Sequence, residues 1–395
     1  IQVDGSNFDV NGDGSVQVSY RLSGTDDWQP AGALVRNAAG EYSGSVLNLK
    51  SGTDYEIKLD VVDPDGLVTD SFTGGTFTAT TASVPPEVAQ GNEIRVSSMA
   101  DLQAAVDGAQ GGDIILLESG TYAGNLNVKS SGTSDQPIVI RAAEGAENVI
   151  DAGGKGAGVR IEGDFVHLEG LTIRNASHGI QLRDGKGDHV EGAVIRNNTI
   201  LDVDRGIDAN EGHRDITITD NFLVGRNAIG DTSSDTWGDE GIVVTGEGIE
   251  VAYNTVAGFG DSLGLNHNTD LANRAIAIHH NKVLWGGDDG IELDFADRNV
   301  IAHDNLLMNT ANGISFQYVE NGPALAYKNL IYNVERGPFK IKPESDTNEG
   351  VRLYNNTTIK SGEAWKDFSG NPVNTHIVNN LFVGDGQSAD TVRAD

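Results

Sequence analysis

The stretch Val251–Val256 (VAYNTV) sets an asparagine inside a short alternation of apolar and polar residues, and this pattern recurs through most of the chain. Most successive copies are 23 to 27 residues apart, with one step of 33, and each repeat holds several short strand patterns. A period of this size predicts a solenoid, here an all-β right-handed parallel β-helix of about ten coils. Asparagines at one turn of each coil would stack into a ladder of hydrogen-bonded amides. The recurring asparagines are Asn175, Asn198, Asn221, Asn254, Asn281, Asn305, Asn329, Asn356 and Asn380.

The composition is strongly acidic. Among the 395 residues, 58 are Asp or Glu and 27 are Lys or Arg, which gives a net charge of −31. Such a charge argues against nucleic acid or an anionic membrane surface as a partner. The absence of cysteine excludes disulfides and thiolate chemistry, and no apolar run reaches the roughly 18 residues of a membrane span. The first residues lack the pattern of a signal peptide, so we expect the mature form of a secreted, monomeric protein.

The N-terminal part, residues 1–84, has a different pattern from the repeats. Short alternating strands are separated by turn residues, which predicts a small antiparallel β-sandwich. Residues 47–66 (LNLKSGTDYEIKLDVVDPDG) place Tyr55 just after a turn and at the start of an alternating strand. This arrangement resembles the tyrosine corner of fibronectin type III-like sandwiches, and the resemblance implies a domain of that kind.

Paired prolines mark residues 85–93 as a linker, and residues 94–395 are expected to form the parallel β-helix and to carry the catalytic site. At its start, Ser98–Ala109 (SMADLQAAVDGA) has the pattern of a short amphipathic helix, with Ser97 or Ser98 as its N-cap. We expect this helix to cap the first coil.

Each coil also contains an apolar strand that usually begins with glycine, such as Gly290–Phe295 (GIELDF). Because side chains alternate across a strand, its second and fourth residues point inward and its third and fifth share one outer face. The third positions predict a column up that face: Arg160, Gln181, Asp208, Val243, Gly264, Glu292, Ser315 and Lys340. The fifth positions predict a second column beside it: Glu162, Arg183, Asn210, Thr245, Asn266, Asp294, Gln317 and Lys342.

Carboxylates concentrate on adjacent coils of this face, at Asp261, Asp288, Asp289, Glu292 and Asp294. Like charges this close repel, so they persist where a cation, a proton or a substrate compensates them. Neighbouring coils lie about 4.8 Å apart, so one cation could contact all five. We therefore expect a functional groove here.

Other residues of the same face are candidates for catalysis or substrate binding. Lys340 and Lys342, two of only 11 lysines, should lie roughly 10 Å beyond Glu292. Trp237 and Trp285 flank the groove in sequence, and tryptophans suit stacking on sugar rings. The polar candidates for substrate binding are Asn266, Gln317 and Arg183.

The pair His279-His280 falls on a strand beside the asparagines. Adjacent strand residues point to opposite sides, so we expect structural roles and no chelating pair.

Two family resemblances rest on these residues. The entry to the repeats (residues 101–151) resembles that of bacterial β-helix polysaccharide lyases, and Asp288–Glu292 (DDGIE) is similar to the calcium-binding segment of family-nine pectate lyases. This resemblance implies Asp261, Asp288, Asp289 and Glu292 as Ca²⁺ ligands, an oxygen-only set that suits a hard cation. It also implies a base lysine one coil later, where Ser315 stands. The nearest substitutes are Lys340 and Lys342.

The second resemblance is to polygalacturonases. Asp261 followed by the pair Asp288-Asp289 is similar to their catalytic aspartates, and Lys340-Ile341-Lys342 is similar to their substrate-gripping segment. Asn312 stands where that family has a histidine. The implied reaction is hydrolysis, in which Asp289 or Glu292 protonates the leaving oxygen and Asp261, Asp288 or Asp294 activates water.

The favoured hypothesis is a secreted enzyme that cleaves an acidic, uronate-containing polysaccharide by Ca²⁺-assisted β-elimination, with a lysine as base. An inverting, polygalacturonase-like hydrolase is the first alternative. A uronan epimerase and a non-catalytic glycan-binding β-helix remain open, because fold similarity alone does not choose among them.

Overall fold

A computed structural model of the chain describes residues 1–5, 8–9, 11–37, 39–67, 72–82, 85–183, 189–233, 238–266, 272–342, 350–365 and 373–385. It is an all-β structure in which a parallel β-solenoid of about eleven turns follows two small antiparallel sheets. The predicted fold class is therefore confirmed.

The two N-terminal sheets are short and antiparallel. The first contains β1 (Gln2–Asp4), β4 (Val35–Arg36) and β5 (Glu41–Ser43). The second contains β2 (Ser15–Leu22), β3 (Gln29–Pro30), β6 (Asp54–Val62) and β7 (Gly74–Thr80). The hydroxyl of Tyr55 accepts a hydrogen bond from the Lys50 backbone N–H at 3.0 Å. The fibronectin type III-like character of this part stays a prediction.

The solenoid consists of two long parallel sheets. The larger, the groove sheet, has 20 strands: β10 (Gly120–Ala123), β11 (Leu126–Val128), β13 (Asn148–Asp151), β14 (Ala157–Ile161), β16 (Thr172–Leu182), β18 (Thr199–Arg214), β20 (Phe222–Gly225), β21 (Glu240–Glu247), β23 (Thr255–Phe259), β24 (Asp261–Leu265), β25 (Asn273–Arg274), β27 (Lys282–Gly286), β28 (Asp289–Glu292), β29 (Ala296–Arg298), β31 (Leu306–Met308), β32 (Asn312–Phe316), β34 (Leu330–Tyr332), β35 (Phe339–Ile341), β37 (Thr357–Ile359) and β39 (Leu381–Val383).

The smaller one, the back sheet, has 12 strands: β8 (Asn92–Val96), β9 (Asp113–Leu117), β12 (Ile138–Ala142), β15 (Val166–Glu169), β17 (Val194–Arg196), β19 (Thr217–Thr219), β22 (Glu250–Ala252), β26 (Ala277–His279), β30 (Val300–His303), β33 (Ala324–Tyr327), β36 (Val351–Tyr354) and β38 (His376–Val378). Apolar side chains from both sheets, such as Ile278 and Ile291, meet in one continuous core.

A single α-helix, α1 (Met99–Gly108), occurs in the described residues. The Ser98 hydroxyl accepts a hydrogen bond from the Asp101 backbone N–H at 3.1 Å, which is the predicted N-cap. Leu102 and Val106 are buried against the first coil. Among the described residues, no helix has the length and apolar character that a membrane crossing requires.

An internal asparagine ladder runs along the solenoid. Each Asn Nδ2 donates to the Oδ1 of the next, as from Asn254 to Asn281 at 3.0 Å and from Asn281 to Asn305 at 3.1 Å. The chain of contacts runs from Asn198 to Asn380. The expectation that Asn175 also belongs to it is wrong. Asn198 Oδ1 instead accepts from the Leu171 backbone N–H. Leu171 therefore occupies the ladder position on the preceding coil, and the ladder begins at Asn198.

The residues of the first predicted column are paired with one another in the groove sheet. Paired residues run from Arg160 through Gln181, Asp208, Val243, Gly264, Glu292 and Ser315 to Lys340. The alternation of side chains across each strand, read from the sequence, therefore aligned eight successive coils correctly.

The N-terminal sheets lie against the solenoid on the coil that contains β29 and on later coils. Glu41 forms an ion pair with Arg298 at 2.7 Å, and the Ser43 hydroxyl donates to the Gly322 carbonyl at 2.8 Å. The linker runs back along the solenoid surface, where Arg196 donates to the Pro85 carbonyl at 2.7 Å. The chain thus returns from its N-terminal sheets to the first coil.

Candidate functional site

Three aspartates converge where strands of the groove sheet begin. Asp261 starts β24 and Asp289 starts β28, one coil later, with Asp288 just before it. One carboxylate oxygen from each lies within 4.8 Å of those of the other two. The Asp289 backbone N–H donates to Asp261 Oδ1 at 3.0 Å, which ties the two coils together at this point. Asp261, Asp288 and Asp289 are called the acidic cluster below.

Lys340 reaches the acidic cluster across an intervening strand. Its Nζ donates to Asp289 Oδ2 at 2.7 Å, and the two side chains are only 12% and 1% exposed. Ser315 lies between Lys340 and Glu292 in the column, and its short side chain is buried against Asp294. The serine at this position therefore leaves room for the longer lysine from the next coil. The sequence analysis placed Lys340 two coils from the acids on coil spacing alone, and it did not allow for the length of the lysine side chain.

Asp288 has two further partners. Arg336 donates to Asp288 Oδ1 at 3.1 Å, and Asn312 Nδ2 donates to the same oxygen at 3.0 Å. Sequence analysis missed Arg336, although it stands four residues ahead of Lys340, in the same flanking position relative to its strand as the acids. Asn312, noted there only as a departure from a family pattern, is in contact with the acidic cluster.

Asp294 is saturated by hydrogen bonds. It accepts from the Ser315 hydroxyl at 2.8 Å, from the Gln317 backbone N–H at 2.7 Å and from Gln317 Nε2 at 2.9 Å. The carboxylate is 2% exposed. Asp294 and Gln317, predicted for catalysis and substrate binding, are thus partners of each other, and their functional roles stay predictions.

Glu292 projects over a glycine. A Cβ at Gly264, its neighbour in the column, would lie 3.4 Å from Glu292 Oε2, so a larger residue there would crowd the carboxyl group. Glu292 is not in the group of carboxylates within 4.8 Å of one another. It shares a hydrogen bond with Asp294 instead. The predicted fourth metal ligand is therefore near the acidic cluster but directed elsewhere.

Burial and mutual repulsion raise the proton affinity of these acids. Burial, reinforced by the charge of Asp289, raises the pKa of Asp261 to about 8. Burial raises the pKa of Asp289 to about 7, although the Lys340 ammonium opposes this. Burial and the neighbouring carboxylates also raise the pKa of Glu292. At neutral pH the site therefore holds protons as well as negative charge.

The pKa of Lys340 is shifted in the opposite direction to that of an isolated buried lysine. Burial alone lowers its pKa, but the carboxylate of Asp289 outweighs burial, and the pKa is raised. In this arrangement Lys340 is a cation that compensates the acidic cluster.

The other predicted groove residues occupy varied surroundings. Trp285 lies near the end of β27 with φ +60°, and it is 37% exposed. Arg183 forms an ion pair with Glu211 at 2.8 Å on an early coil, and the Asn266 carbonyl accepts from the Thr245 hydroxyl at 3.0 Å. Lys342 follows β35, and Trp237 lies outside the described residues.

Comparison with known sequences finds matches to the first part of the solenoid. Residues 83–241 match a family model described as a Pel9A-like, right handed beta helix region. The pectate lyase PEL9 of Emericella nidulans is 32% identical over 116 residues, a stretch that covers 25% of this chain and 28% of the fungal protein. The chain thus spans 28% of the length of this relative.

The chain is also similar to solved structures. The pectate lyase Pel9A is 14% identical, with a TM-score of 0.49, over 77% of this chain and 84% of that one. XylC in complex with xylose is 12% identical, with a TM-score of 0.52, over 75% of this chain and 76% of that one. At 12% identity, the likeness to XylC concerns the fold alone. The resemblance to β-helix polysaccharide lyases is confirmed, and the family-model match ends before Asp261.

Proposed function

We propose that the chain cleaves a uronate-containing polysaccharide by Ca²⁺-assisted β-elimination, in keeping with the match of residues 83–241 to a Pel9A-like right-handed β-helix model. The observation that carries this proposal is the meeting of three carboxylates and one lysine at a single point of the groove. Their oxygens lie within 4.8 Å of one another, and Lys340 Nζ lies 2.7 Å from one of them. A metal site and a proton acceptor are the two parts that such a reaction requires.

The donor set fits calcium. The acidic cluster offers only oxygen atoms, which a hard cation prefers. Within the described part of the chain, no hydrogen-bond donor reaches the buried Oδ1 of Asp289. An orphaned buried carboxylate oxygen is costly, and a cation would compensate it. We therefore assign Asp261, Asp288 and Asp289 as Ca²⁺ ligands. The resemblance also implies Glu292 as a fourth Ca²⁺ ligand, but its carboxylate is not among those whose oxygens lie within 4.8 Å of one another.

In the proposed reaction, a bound calcium ion would supply positive charge that neutralises a uronate carboxylate and makes the neighbouring C5 proton more acidic. Lys340 Nζ would accept this proton, and the C4–O bond would then break. Asp289 holds Nζ in place, and its negative charge raises the pKa of Lys340. Nζ would therefore have to release its own proton to water before it accepts the C5 proton, and a calcium ion that compensates Asp289 would favour this release. Arg336, which already donates to Asp288, is placed to bind a substrate carboxylate nearby.

The separation of the carboxylates favours metal binding over hydrolysis with inversion. An inverting pair stands roughly 6.5–9.5 Å apart to admit a water molecule, whereas the oxygens of the acidic cluster lie within 4.8 Å. One observation favours the hydrolase alternative: with a pKa of about 8, Asp261 would be protonated at neutral pH and could act as a general acid. Hydrolysis is therefore the second candidate.

The first experiment distinguishes these reactions. The purified chain is incubated with polygalacturonate, alginate and a sulfated galactan, with CaCl₂ or with EDTA. The ultraviolet absorbance of unsaturated uronates and the number of new reducing ends are then followed. We expect absorbance that depends on calcium. New reducing ends without that absorbance would show that the chain is a hydrolase and not a lyase. If neither the absorbance nor new reducing ends appear on any of the polyanions, a glycan-binding role is favoured.

Substitutions then test the assignments. Lys340→Met should lower kcat by about 10²- to 10⁴-fold, the usual loss of a general base, and Asp289→Asn should nearly abolish activity while the fold is retained. Lys282→Met, at an exposed lysine of β27, is the matched control and should retain activity. If Lys342→Met inactivates and Lys340→Met does not, the base is Lys342. Full activity in Asp289→Asn would remove the acidic cluster from the reaction.

A further inference from the structure

A second group of metal-ligating side chains lies on the back sheet, away from the acidic cluster. The rings of His279 and His303 stack at 4.8 Å between centroids, and His303 stacks on Tyr327 at 4.7 Å. These residues pair with one another in the register of β26, β30 and β33. Stacked rings on successive coils hold this surface in a defined arrangement.

The expectation that His279 and His280 point to opposite sides is wrong. The strand ends at His279, and His280 has φ +55°, in the left-handed region. This turn brings the second ring back toward the first, so that the two Nδ1 atoms lie 3.0 Å apart. Alternation applies only while the backbone stays extended, and the turn before each ladder asparagine breaks it.

His280 meets His303 and Asp304 from the next coil. One potential ligand atom from each of the three residues lies within 4.8 Å of the other two. His303 Nδ1 and Asp304 Oδ2 are 2.8 Å apart. Imidazole in its neutral form is a common ligand of transition metals.

The donor types indicate which metals fit. Two imidazoles and one carboxylate form the His₂-carboxylate set that binds Zn²⁺ with a position left for water. Imidazole suits zinc, copper and nickel, whereas calcium prefers oxygen alone. We propose that His280, His303 and Asp304 form a binding site for Zn²⁺ or a similar transition-metal ion that cross-links two coils.

Glu250 and His279 position the His280 ring. Glu250 Oε1 lies 3.1 Å from His279 Nε2. Because a carboxylate only accepts, Nε2 carries the proton and Nδ1 of His279 is left as an acceptor. Nδ1 of His280, 3.0 Å away, then donates to it, which leaves Nε2 of His280 with its lone pair. Carboxylate–histidine contacts behind a ligand commonly orient it in this way.

The test measures zinc binding to the full chain by isothermal titration calorimetry with ZnCl₂. Excess CaCl₂ is present throughout, so that the hard cation occupies the acidic cluster. We expect one saturable zinc site per chain and a higher midpoint of thermal unfolding when zinc is bound. No saturable zinc binding under these conditions would overturn the proposal.

The substitutions use the left-handed turn itself. Asparagine adopts this conformation at the equivalent positions Asn355 and Asn379, so His280→Asn and Asp304→Asn should fold normally. Each should weaken zinc binding by more than about tenfold, and Glu250→Gln by about tenfold.

Asp220→Asn is the matched control, because Asp220 occupies the same turn at φ +57° on an earlier coil. Wild-type zinc affinity is expected for it. Wild-type affinity in both His280→Asn and Asp304→Asn would show that zinc binds elsewhere.

Discussion

At the scale of single residues, the site consists of charges that compensate one another. Asp289 is buried and contacts Lys340, while Asp288 contacts Arg336. Removal of one member of a buried pair leaves an uncompensated charge, which costs more than the pair contributes. Loss of activity in a variant must therefore be compared with its stability. Asp289→Asn keeps the size of the side chain but leaves the Lys340 ammonium without its charged partner, so its activity is interpreted together with its free energy of unfolding.

The raised pKa of Asp261, caused by burial and by the charge of Asp289, predicts a pH-dependent stability. An aspartate titrates near 3.9 in an unfolded chain. Because the folded chain binds this proton more tightly, the contribution to stability is complete below about pH 4 and is lost as pH rises through about 8. Without calcium, Asp261→Asn should raise the free energy of unfolding at pH 8 by up to about 5 kcal/mol, and by little at pH 4.

Urea unfolding of both proteins at the two pH values checks this prediction. Asp107→Asn, at an exposed aspartate of α1, should show no such difference between the two values. If Asp261→Asn changes the free energy of unfolding equally at pH 4 and pH 8, the proton on Asp261 does not contribute as described.

The sequence predicted the outer column but not all contacts of the site. Alternation and the repeat period align Gly264, Glu292, Ser315 and Lys340 without any structure. Contacts made by long, flexible side chains do not follow from alignment, because an arginine or lysine can reach an adjacent coil. Arg336 was missed for this reason.

At the scale of elements, the asparagine ladder predicts where substitution is costly. Asn281 accepts from the Asn254 backbone N–H at 2.9 Å and donates to the Val251 carbonyl at 2.8 Å. Asn281→Ala leaves these buried groups without partners, which should lower the free energy of unfolding by about 1–3 kcal/mol per unsatisfied group. Asn380→Ala is the control, since Asn380 is only half-buried and water can replace its amide.

Chemical denaturation of the two variants measures the difference. Equal losses for Asn281→Ala and Asn380→Ala would indicate that burial of the amide does not determine the cost. The sequence could predict this ladder because its period is regular. It could not exclude Asn175, because the first rung depends on register and falls on Leu171.

At the scale of the whole molecule, the N-terminal sheets and the solenoid share a contact surface. Besides the ion pair between Glu41 and Arg298, Tyr20 and Leu47 line a cleft together with Leu325 and Tyr354. Apolar surface shared in this way couples the unfolding of both parts. The sequence predicted two parts, but their contact depends on residues too distant in the chain for a local pattern to indicate.

Removal of residues 1–84 should therefore lower the midpoint of thermal unfolding of the solenoid, because Leu325 and Tyr354 become exposed to water. Calorimetry of the full and the shortened chain measures this change. Two separate transitions in the full chain, with an unchanged midpoint for the solenoid, would contradict the prediction. Arg298→Met is a milder control, since a partly exposed ion pair contributes about 1 kcal/mol or less.

The ladder also has a direction. Every link described above donates from one asparagine to the next toward the C-terminus, so each coil carries one rung that fits those on both sides. A whole coil copied in tandem would bring a matching rung with it and lengthen the groove by about 4.8 Å. Growth by duplication is thus compatible with folding at most positions. An added coil between Asp261 and Lys340 would separate the acidic cluster from its lysine. We therefore expect the number of coils in this segment to stay constant in active relatives.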